Sequence, residues 1–297
     1  NSSLCESGKK LIMTSLKRSS LTSNTITSST RIFGVCGQDI KYTLSPAMHN
    51  AAFHHLLLNY VYLTFEILPS NISQAVEGIR ALGLAGINVT KPFKTEVLPY
   101  LDDISIEAEK IGSVNTIINN SGQLIGTSTD GIGLQRSLEE KKVSLANSRV
   151  LILGAGGAAR AACAMAKNNK AKSVIVVARD TARGQNTAAV GGATTIGLSS
   201  GELREALKNT NLIINTIPTN VPIDKSWFTE GHFVYDTRYD EKETQLMRDA
   251  RSKGAQVSNG LSMLLYQGAE SFEFWTGRKA PLNIMRKTLV DQLSQRK

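Results

Sequence analysis

The chain has 297 residues, of which 41% are hydrophobic and 20% charged, a composition typical of a soluble globular protein. No run of about 18 or more uncharged apolar residues occurs, which excludes an obvious membrane span. Cys5, Cys36 and Cys163 lie far apart without CxxC spacing, which excludes a zinc cluster or disulfide framework and fits a reducing cytosol. The net charge of +9 comes from scattered lysines and arginines, with no basic run interleaved with aromatic residues. That pattern suits small anionic ligands better than nucleic acid.

In chain order, residues 1–30 are rich in Ser and Thr and contain Lys9, Lys10, Lys17 and Arg18 against a single acid, Glu6. They read as a disordered or linker extension, with the tail of a transit peptide as the alternative. A strand is expected at Arg31–Val35, then a helix over Pro46–Leu58 with Pro in its first turn. Tyr60–Ile67 is β-branched and aromatic, hence a strand. Ser70–Leu82 is an amphipathic helix and Ala85–Val89 a further strand. Asn115–Ile118 and Gln123–Thr127 flank Asn119-Asn120-Ser121-Gly122, a hairpin turn. A second unit has strands at Arg149–Leu153, Ser173–Val177, Asn211–Asn215 and Phe233–Asp236, with helical stretches between most of them. Helices Leu261–Trp275 and Pro281–Gln295 end the chain. Strands alternating with helices imply a mostly parallel sheet covered on both faces. The expected architecture is α/β, with two lobes and a cleft between them. A substrate-binding lobe would comprise residues 31–130 plus 261–297, and a Rossmann-like dinucleotide-binding lobe residues 131–260.

Gly154-Ala155-Gly156-Gly157-Ala158-Ala159 fits G-x-G-x-x-A directly after a strand and at the start of a helix. Gly154 allows the tight turn, Gly156 lets the backbone approach a pyrophosphate, and Ala159 lets the helix pack close to its strand. The next strand ends in Ala178-Arg179-Asp180-Thr181-Ala182-Arg183. Arg179 is placed to meet a 2′-phosphate, with Arg183 one turn later as a second contact. Each charge-assisted hydrogen bond to phosphate contributes roughly 1.5–3 kcal/mol. Asp180 works the other way, since it suits a bare 2′-hydroxyl. These residues favour NADP over NAD, against the bland reading that they are solvated loop charges.

Three clusters in the first lobe have no core-packing explanation: Ser45-Pro46-Ala47-Met48-His49-Asn50, Asn88-Val89-Thr90-Lys91-Pro92-Phe93-Lys94 and Thr127-Ser128-Thr129-Asp130-Gly131. Together with Gly154–Ala159 and Met263-Leu264-Leu265-Tyr266-Gln267-Gly268-Ala269, in that order, they resemble the shikimate dehydrogenase family from about Arg31 to the C-terminus. The resemblance implies NADP-dependent interconversion of 3-dehydroshikimate and shikimate in aromatic amino-acid (chorismate) biosynthesis. It implies Lys94 and Asp130 as the catalytic pair, and Thr43, Ser45, Asn88, Thr90, Asn115 and Gln267 around the substrate. Thr43 and Ser45 would hold its carboxylate. On the cofactor side it implies Gly154, Ala155, Gly156, Gly157, Ala158, Arg179, Arg183, Thr216, Tyr239 and Gly260, with Tyr239 and Gly260 near the nicotinamide. The sequence departs from the family pattern at Tyr42 (usually His), Thr43 (usually Ser) and Ser128 (usually Asn). Lys91 fills a position that is apolar in the family and is expected to point away from the site.

Taken singly, each residue has a plainer reading. Asp130 could cap its helix, Ser45 could cap the helix of Pro46, Lys94 could be a solvated charge, and Asn88, Asn115 and Gln267 could serve backbone or surface. His49, His54 and His55 receive no catalytic role, and no metal site is expected. The alternatives in function are a quinate or dual quinate/shikimate dehydrogenase, and a non-catalytic NADP- and metabolite-binding paralogue. A folate-linked dehydrogenase fits Asn88–Lys94 and Gln267 poorly. The expected partners are a small-molecule substrate and no nucleic acid or membrane, with the chain a monomer or homodimer. A cytoplasmic location is expected, or a plastid one if residues 1–30 derive from a transit peptide.

Overall fold

The structure, a computed structural model, describes residues 26–198 and 200–295. Most of the 1–30 extension therefore lies outside the described residues. Thr27, Ser29 and Thr30 are in them, and all three exchange hydrogen bonds with the Asn59 side chain.

The first lobe is built from β1 (Arg31–Gly37), α1 (Ser45–His55), β2 (Tyr60–Glu66), α2 (Ile72–Ala81), β3 (Gly86–Val89), β4 (Asp103–Ile104), α3 (Ile106–Ile111), β5 (Thr116–Asn120) and β6 (Gln123–Thr127). Its sheet runs β2-β1-β3-β5-β6-β4. β1 pairs in parallel with β2 and β3, while β5 is antiparallel to β3 and β6. The expected hairpin is present, so this sheet is mixed, whereas the alternation of elements alone predicts a mostly parallel one. The helix expected at Ser70–Leu82 divides into a 3₁₀ turn at Pro69–Asn71 and α2. α3 carries clear end signals: Ser105 Oγ accepts from the Ala108 N–H at 3.1 Å, and Gly112 closes the helix at φ 63°.

The second lobe follows α4 (Asp130–Glu140) and comprises β7 (Arg149–Leu153), α5 (Gly157–Asn168), β8 (Ser173–Ala178), α6 (Thr181–Gly191), β9 (Thr194–Gly197), α7 (Ser200–Lys208), β10 (Leu212–Asn215), β11 (Phe233–Asp236), α8 (Gln245–Arg251) and β12 (Gln256–Asn259). Every pair in this sheet is parallel. Its order, β9-β8-β7-β10-β11-β12, is that of a doubly wound dinucleotide fold, with the switch point between β7 and β10. β9 and β12 were not apparent from sequence because each is only four residues long and half polar. Continuous apolar runs such as Leu151-Ile152-Leu153 and Leu212-Ile213-Ile214 suit strands buried on both faces, and all six residues are at most 1% exposed.

Two last helices, α9 (Leu261–Thr276) and α10 (Leu282–Gln295), return to the first lobe. Leu265, Phe272, Trp275, Met285 and Leu289 join Phe33, Met48 and Phe53 in its core. Met263, on the first turn of α9, instead joins Leu134 and Leu138 of α4 in the core of the second lobe. α9 is thus shared by both cores. Trp275 fixes its far end: the indole N–H donates to the Ile117 carbonyl at 2.9 Å, and the ring occupies space that only a glycine at 86 leaves open.

Replacing Trp275 with Ala removes both the hydrogen bond and a large buried ring. Denaturant unfolding of Trp275→Ala is expected to show a loss of about 3–5 kcal/mol. A loss below about 1 kcal/mol would contradict this role.

Candidate active site

In parallel α/β sheets ligands meet the carboxyl ends of the strands, because helix N-termini and loops converge there. Here that edge of both sheets faces one cleft of about 690 Å³. Each site residue expected from the sequence lines it. Thr43 and Ser45 follow β1, Asn88, Thr90 and Lys94 end or follow β3, and Asn115 precedes β5. Gly154–Ala158 follow β7, Arg179 and Arg183 follow β8, Thr216 follows β10, Tyr239 follows β11 and Gly260 follows β12. Asp130 opens α4, and Gln267 reaches the cleft from α9.

At its centre, Lys94 Nζ donates to Asp130 Oδ2 at 2.5 Å. The Asp130 side chain is 4% exposed and that of Lys94 17%. Asp130 is the first residue of α4, Thr129 occupies the cap position, and no side chain caps this helix. The carboxylate therefore faces the lysine instead of the backbone N–H groups, which rules out the plain capping reading. It still gains from the positive end of the helix. Its other oxygen accepts from Asn115 Nδ2 at 2.9 Å. Asn115 is held in turn, because its Oδ1 accepts from the Thr129 N–H at 2.8 Å and from Thr116 Oγ1 at 3.0 Å. Its amide also donates to Gln267 Oε1 at 3.3 Å. Lys94 is tethered through its carbonyl, which accepts from the Val114 N–H at 2.8 Å.

Thr43 and Ser45 form a hydroxyl pair, Thr43 Oγ1 donating to Ser45 Oγ at 3.3 Å. Ser45 lies within α1 and does not cap it. Asn88 borders the cleft, but its amide is engaged by protein. It donates to the Asn115 carbonyl, Thr116 Oγ1 and Ser271 Oγ at 3.0–3.1 Å, and its Oδ1 accepts from Tyr62. Its contacts are those of a brace between β3, β5 and α9.

On the cofactor side, Gly154 has φ 113°, a backbone region that disfavours other residues. Thr216 bonds the Leu153 carbonyl through both its N–H and its hydroxyl. Gly156 is the cap residue of α5, has no side-chain cap, and a Cβ there would meet nothing within 4 Å. The first N–H groups of this helix thus face the cleft, the geometry a pyrophosphate requires. Arg179 and Arg183 line the same cleft. Asp180, whose acid argued for NAD, caps α6 by accepting from the Arg183 N–H at 3.1 Å. These residues fit NADP. A Cβ on Gly157 would collide with Lys94, so the cofactor turn and the lysine are in contact.

One expectation requires correction. Lys91 does not point away; it lines the cleft, with Nζ 5.3 Å from the centre of the Tyr42 ring. An ammonium gains there from the ring face while staying hydrated. Across the cleft the Tyr239 ring lies 6.4 Å from that of Tyr42. Against the raising effect of burial, Arg238 and, more weakly, Lys91 hold the Asp240 carboxyl below its usual value. The sequence reading also missed Thr116, Thr129 and Ser271, which carry the hydrogen bonds behind Asn115. Ser271 stands four residues after Gln267, a spacing that puts both on one helix face.

Comparison with known proteins identifies the family. Residues 35–117 match the model of the shikimate dehydrogenase substrate binding domain. Residues 137–234 match that of shikimate/quinate 5-dehydrogenase, and residues 260–290 that of the shikimate 5′-dehydrogenase C-terminal domain. The NADP(+) shikimate dehydrogenase of Symbiobacterium thermophilum is 40% identical over 281 residues, covering 89% of this chain and 95% of the relative. A shikimate dehydrogenase solved with NADP+ superposes with a TM-score of 0.82 at 34% identity, covering 91% of this chain and 98% of the other. That of Thermus thermophilus, solved with NADP(H) and shikimate, gives a TM-score of 0.79 at 30% identity, covering 88% and 99%. With three family models in register along the chain and relatives matched over nearly their full length, the chain belongs to the shikimate dehydrogenase family.

Proposed function

We propose that this chain catalyses the reversible, NADP-dependent reduction of 3-dehydroshikimate to shikimate, a step of aromatic amino-acid (chorismate) biosynthesis, with Lys94 and Asp130 moving the proton. The observation that carries the reading is the buried Lys94–Asp130 pair, packed directly against the first residue of the cofactor helix.

Oxidising a secondary alcohol removes a hydride from carbon and a proton from oxygen. NADP bound at the glycine-rich turn supplies the hydride acceptor, and NADPH the donor in the other direction. The protein's share is to position the substrate, exclude water and handle the proton. Thr43 and Ser45 offer two hydroxyl donors for the substrate carboxylate. Lys94 Nζ, oriented by Asp130, retains donor positions for the substrate oxygen. Asn115 fixes the carboxylate that orients the lysine, and Gln267 and Thr90 complete the wall. Lys94 and Asp130 exchange the proton as one coupled unit.

The proposal takes the acting unit to be a monomer or a homodimer. No helix among the described residues is long and apolar enough to cross a membrane. Cys36 and Cys163 are free and buried, and burial pushes both thiols up to about 12, which suits a cytoplasmic protein with unreactive thiols.

The test is the formation of reduced cofactor from shikimate or quinate, each with NADP and with NAD. Turnover is expected to be fastest with shikimate and NADP. Faster turnover of quinate would favour the quinate dehydrogenase reading, and NADP binding without turnover of either acid would favour the binding paralogue. Lys94→Ala is expected to lower kcat by about 10²–10⁴-fold, with the KM for NADP nearly unchanged. Near-normal kcat in this variant would overturn the assignment.

Cofactor choice has its own test. Arg179→Ala and Arg183→Ala are each expected to raise the KM for NADP about tenfold or more, as loss of a charge-assisted bond implies. The KM for NAD should barely change. An equal loss with both cofactors would contradict a 2′-phosphate contact.

A further inference from the structure

The glycine-rich turn continues into Ala158-Ala159-Arg160, and the proposed reaction gives Arg160 no part. It is the first charged residue of α5, yet it does not line the cleft. It stands one turn after Gly157, so both residues share a face of the helix. That face turns toward the first lobe. Ala161 and Ala164 pack there against Ile111, the last residue of α3, and a Cβ on Gly157 would strike Ser113 as well as Lys94.

The Arg160 guanidinium joins the two lobes by hydrogen bonds. Its Nε donates to the Ile111 carbonyl at 2.7 Å, and one terminal nitrogen donates to the Asn186 carbonyl of α6 at 3.1 Å. The other terminal nitrogen occupies the space where a Cβ on Gly112 would lie, so a glycine there is what lets the guanidinium come so close. The last carbonyls of a helix lack partners within it, and a cation is favoured at that end. Burial lowers the guanidinium from its usual value, opposed by Cys163, and its hydrogen bonds go to carbonyls rather than to an acid. An arginine stays charged all the same. A full charge is thus partly withdrawn from water to make one contact between the lobes.

From Ile111 the chain leads directly to the Lys94–Asp130 pair. The Val114 N–H donates to the Lys94 carbonyl at 2.8 Å, and the next residue, Asn115, donates to Asp130 at 2.9 Å. Residues 111–115 are therefore bonded to the cofactor helix at one end and to both members of the pair at the other. We propose that Arg160 is a positioning residue for the reaction, its bond to the end of α3 setting the distance between the cofactor turn and the Lys94–Asp130 pair. The inference rests on the proposed reading, in which NADP lies on that turn and the pair moves the proton. Loss of the bond leaves the substrate residues and the cofactor residues on their own elements and alters their separation. The consequence is a slower chemical step with little change in the binding of either ligand.

Arg160→Met is the discriminating variant, because it keeps an apolar stem and removes the donors. With shikimate and NADP, kcat is expected to fall about ten- to a hundredfold, the effect of a displacement of about 1 Å. The KM for shikimate and the KM for NADP should each stay within about twofold, since the contacts that bind them are kept. With shikimate deuterated at the carbon that gives up the hydride, the isotope effect on kcat should equal or exceed that of the wild type, which places the loss on hydride transfer. Arg160→Lys keeps a cationic donor and should fall between the wild type and Arg160→Met. A kcat for Arg160→Met within about twofold of the wild type would overturn the inference. So would a smaller isotope effect, or a fall in kcat matched by an equal fall in NADP-binding sites per chain, which is the mark of a merely structural arginine. Wild-type protein in the same assay separates the two levels. Failure of the wild type to turn over shikimate sinks the proposed function and this inference with it, whereas normal wild-type turnover with an unaffected variant sinks only the inference.

Discussion

A carboxylate and an ammonium removed from water are stable together only if their geometry is good and their remaining polar positions are filled. That constraint governs the Lys94–Asp130 pair, and much of the first lobe and the helices beside it can be understood as meeting it. Asp130 has one oxygen on Lys94 and the other on Asn115, and it stands at the favourable end of α4. Asn115 serves only because Thr116 and Thr129 hold its own oxygen. Ser271 reaches the same hydroxyls from α9, so a helix near the C-terminus supports a group more than a hundred residues earlier. A pair left without this support would be a buried charge without compensation, a far larger penalty than a missing surface contact.

The lobes also approach closely enough for the glycine-rich turn to touch Lys94. Three glycines mark where they do. A Cβ at Gly133 would strike Gln267, one at Gly157 would strike Lys94, and one at Gly260 would strike the Thr237 backbone. The first lets α4 pack against α9, the second brings the cofactor turn onto the lysine, and the third seats the start of α9 on the second sheet. Because α9 contributes to both cores, Gln267 is carried on an element that neither lobe owns alone. Residues at the ends of eight strands are thereby gathered around one cleft.

Much of this was legible in the sequence, for identifiable reasons. The glycine turn was readable because it stands between a strand and a helix, and because Gly154 takes a φ of 113° that other residues disfavour. The residues that line the cleft were readable because rare clusters occurred in a fixed order, although each alone had a commoner explanation. What escaped was decided by tertiary packing. Asp130 could be read as a cap until its partner at 2.5 Å was placed beside it. Lys91 was expected outside the site, yet the Tyr42 ring gives its ammonium a reason to remain over the cleft. β9 and β12 have no strand signature of their own and exist because a parallel neighbour offers them a ladder. Tyr62 looked like an ordinary strand aromatic, and nothing local indicates that His49 stacks on its ring and Asn50 bonds its backbone.

The central claim is that Lys94 and Asp130 act as a single proton-handling unit. The most direct measurement is a double-mutant cycle on shikimate turnover with Lys94→Ala, Asp130→Ala and the two combined. Groups that work only together are grossly non-additive. The double variant should therefore be no slower than the slower single variant. Losses that multiply in the double variant would mean that the two side chains act independently, and would contradict the account.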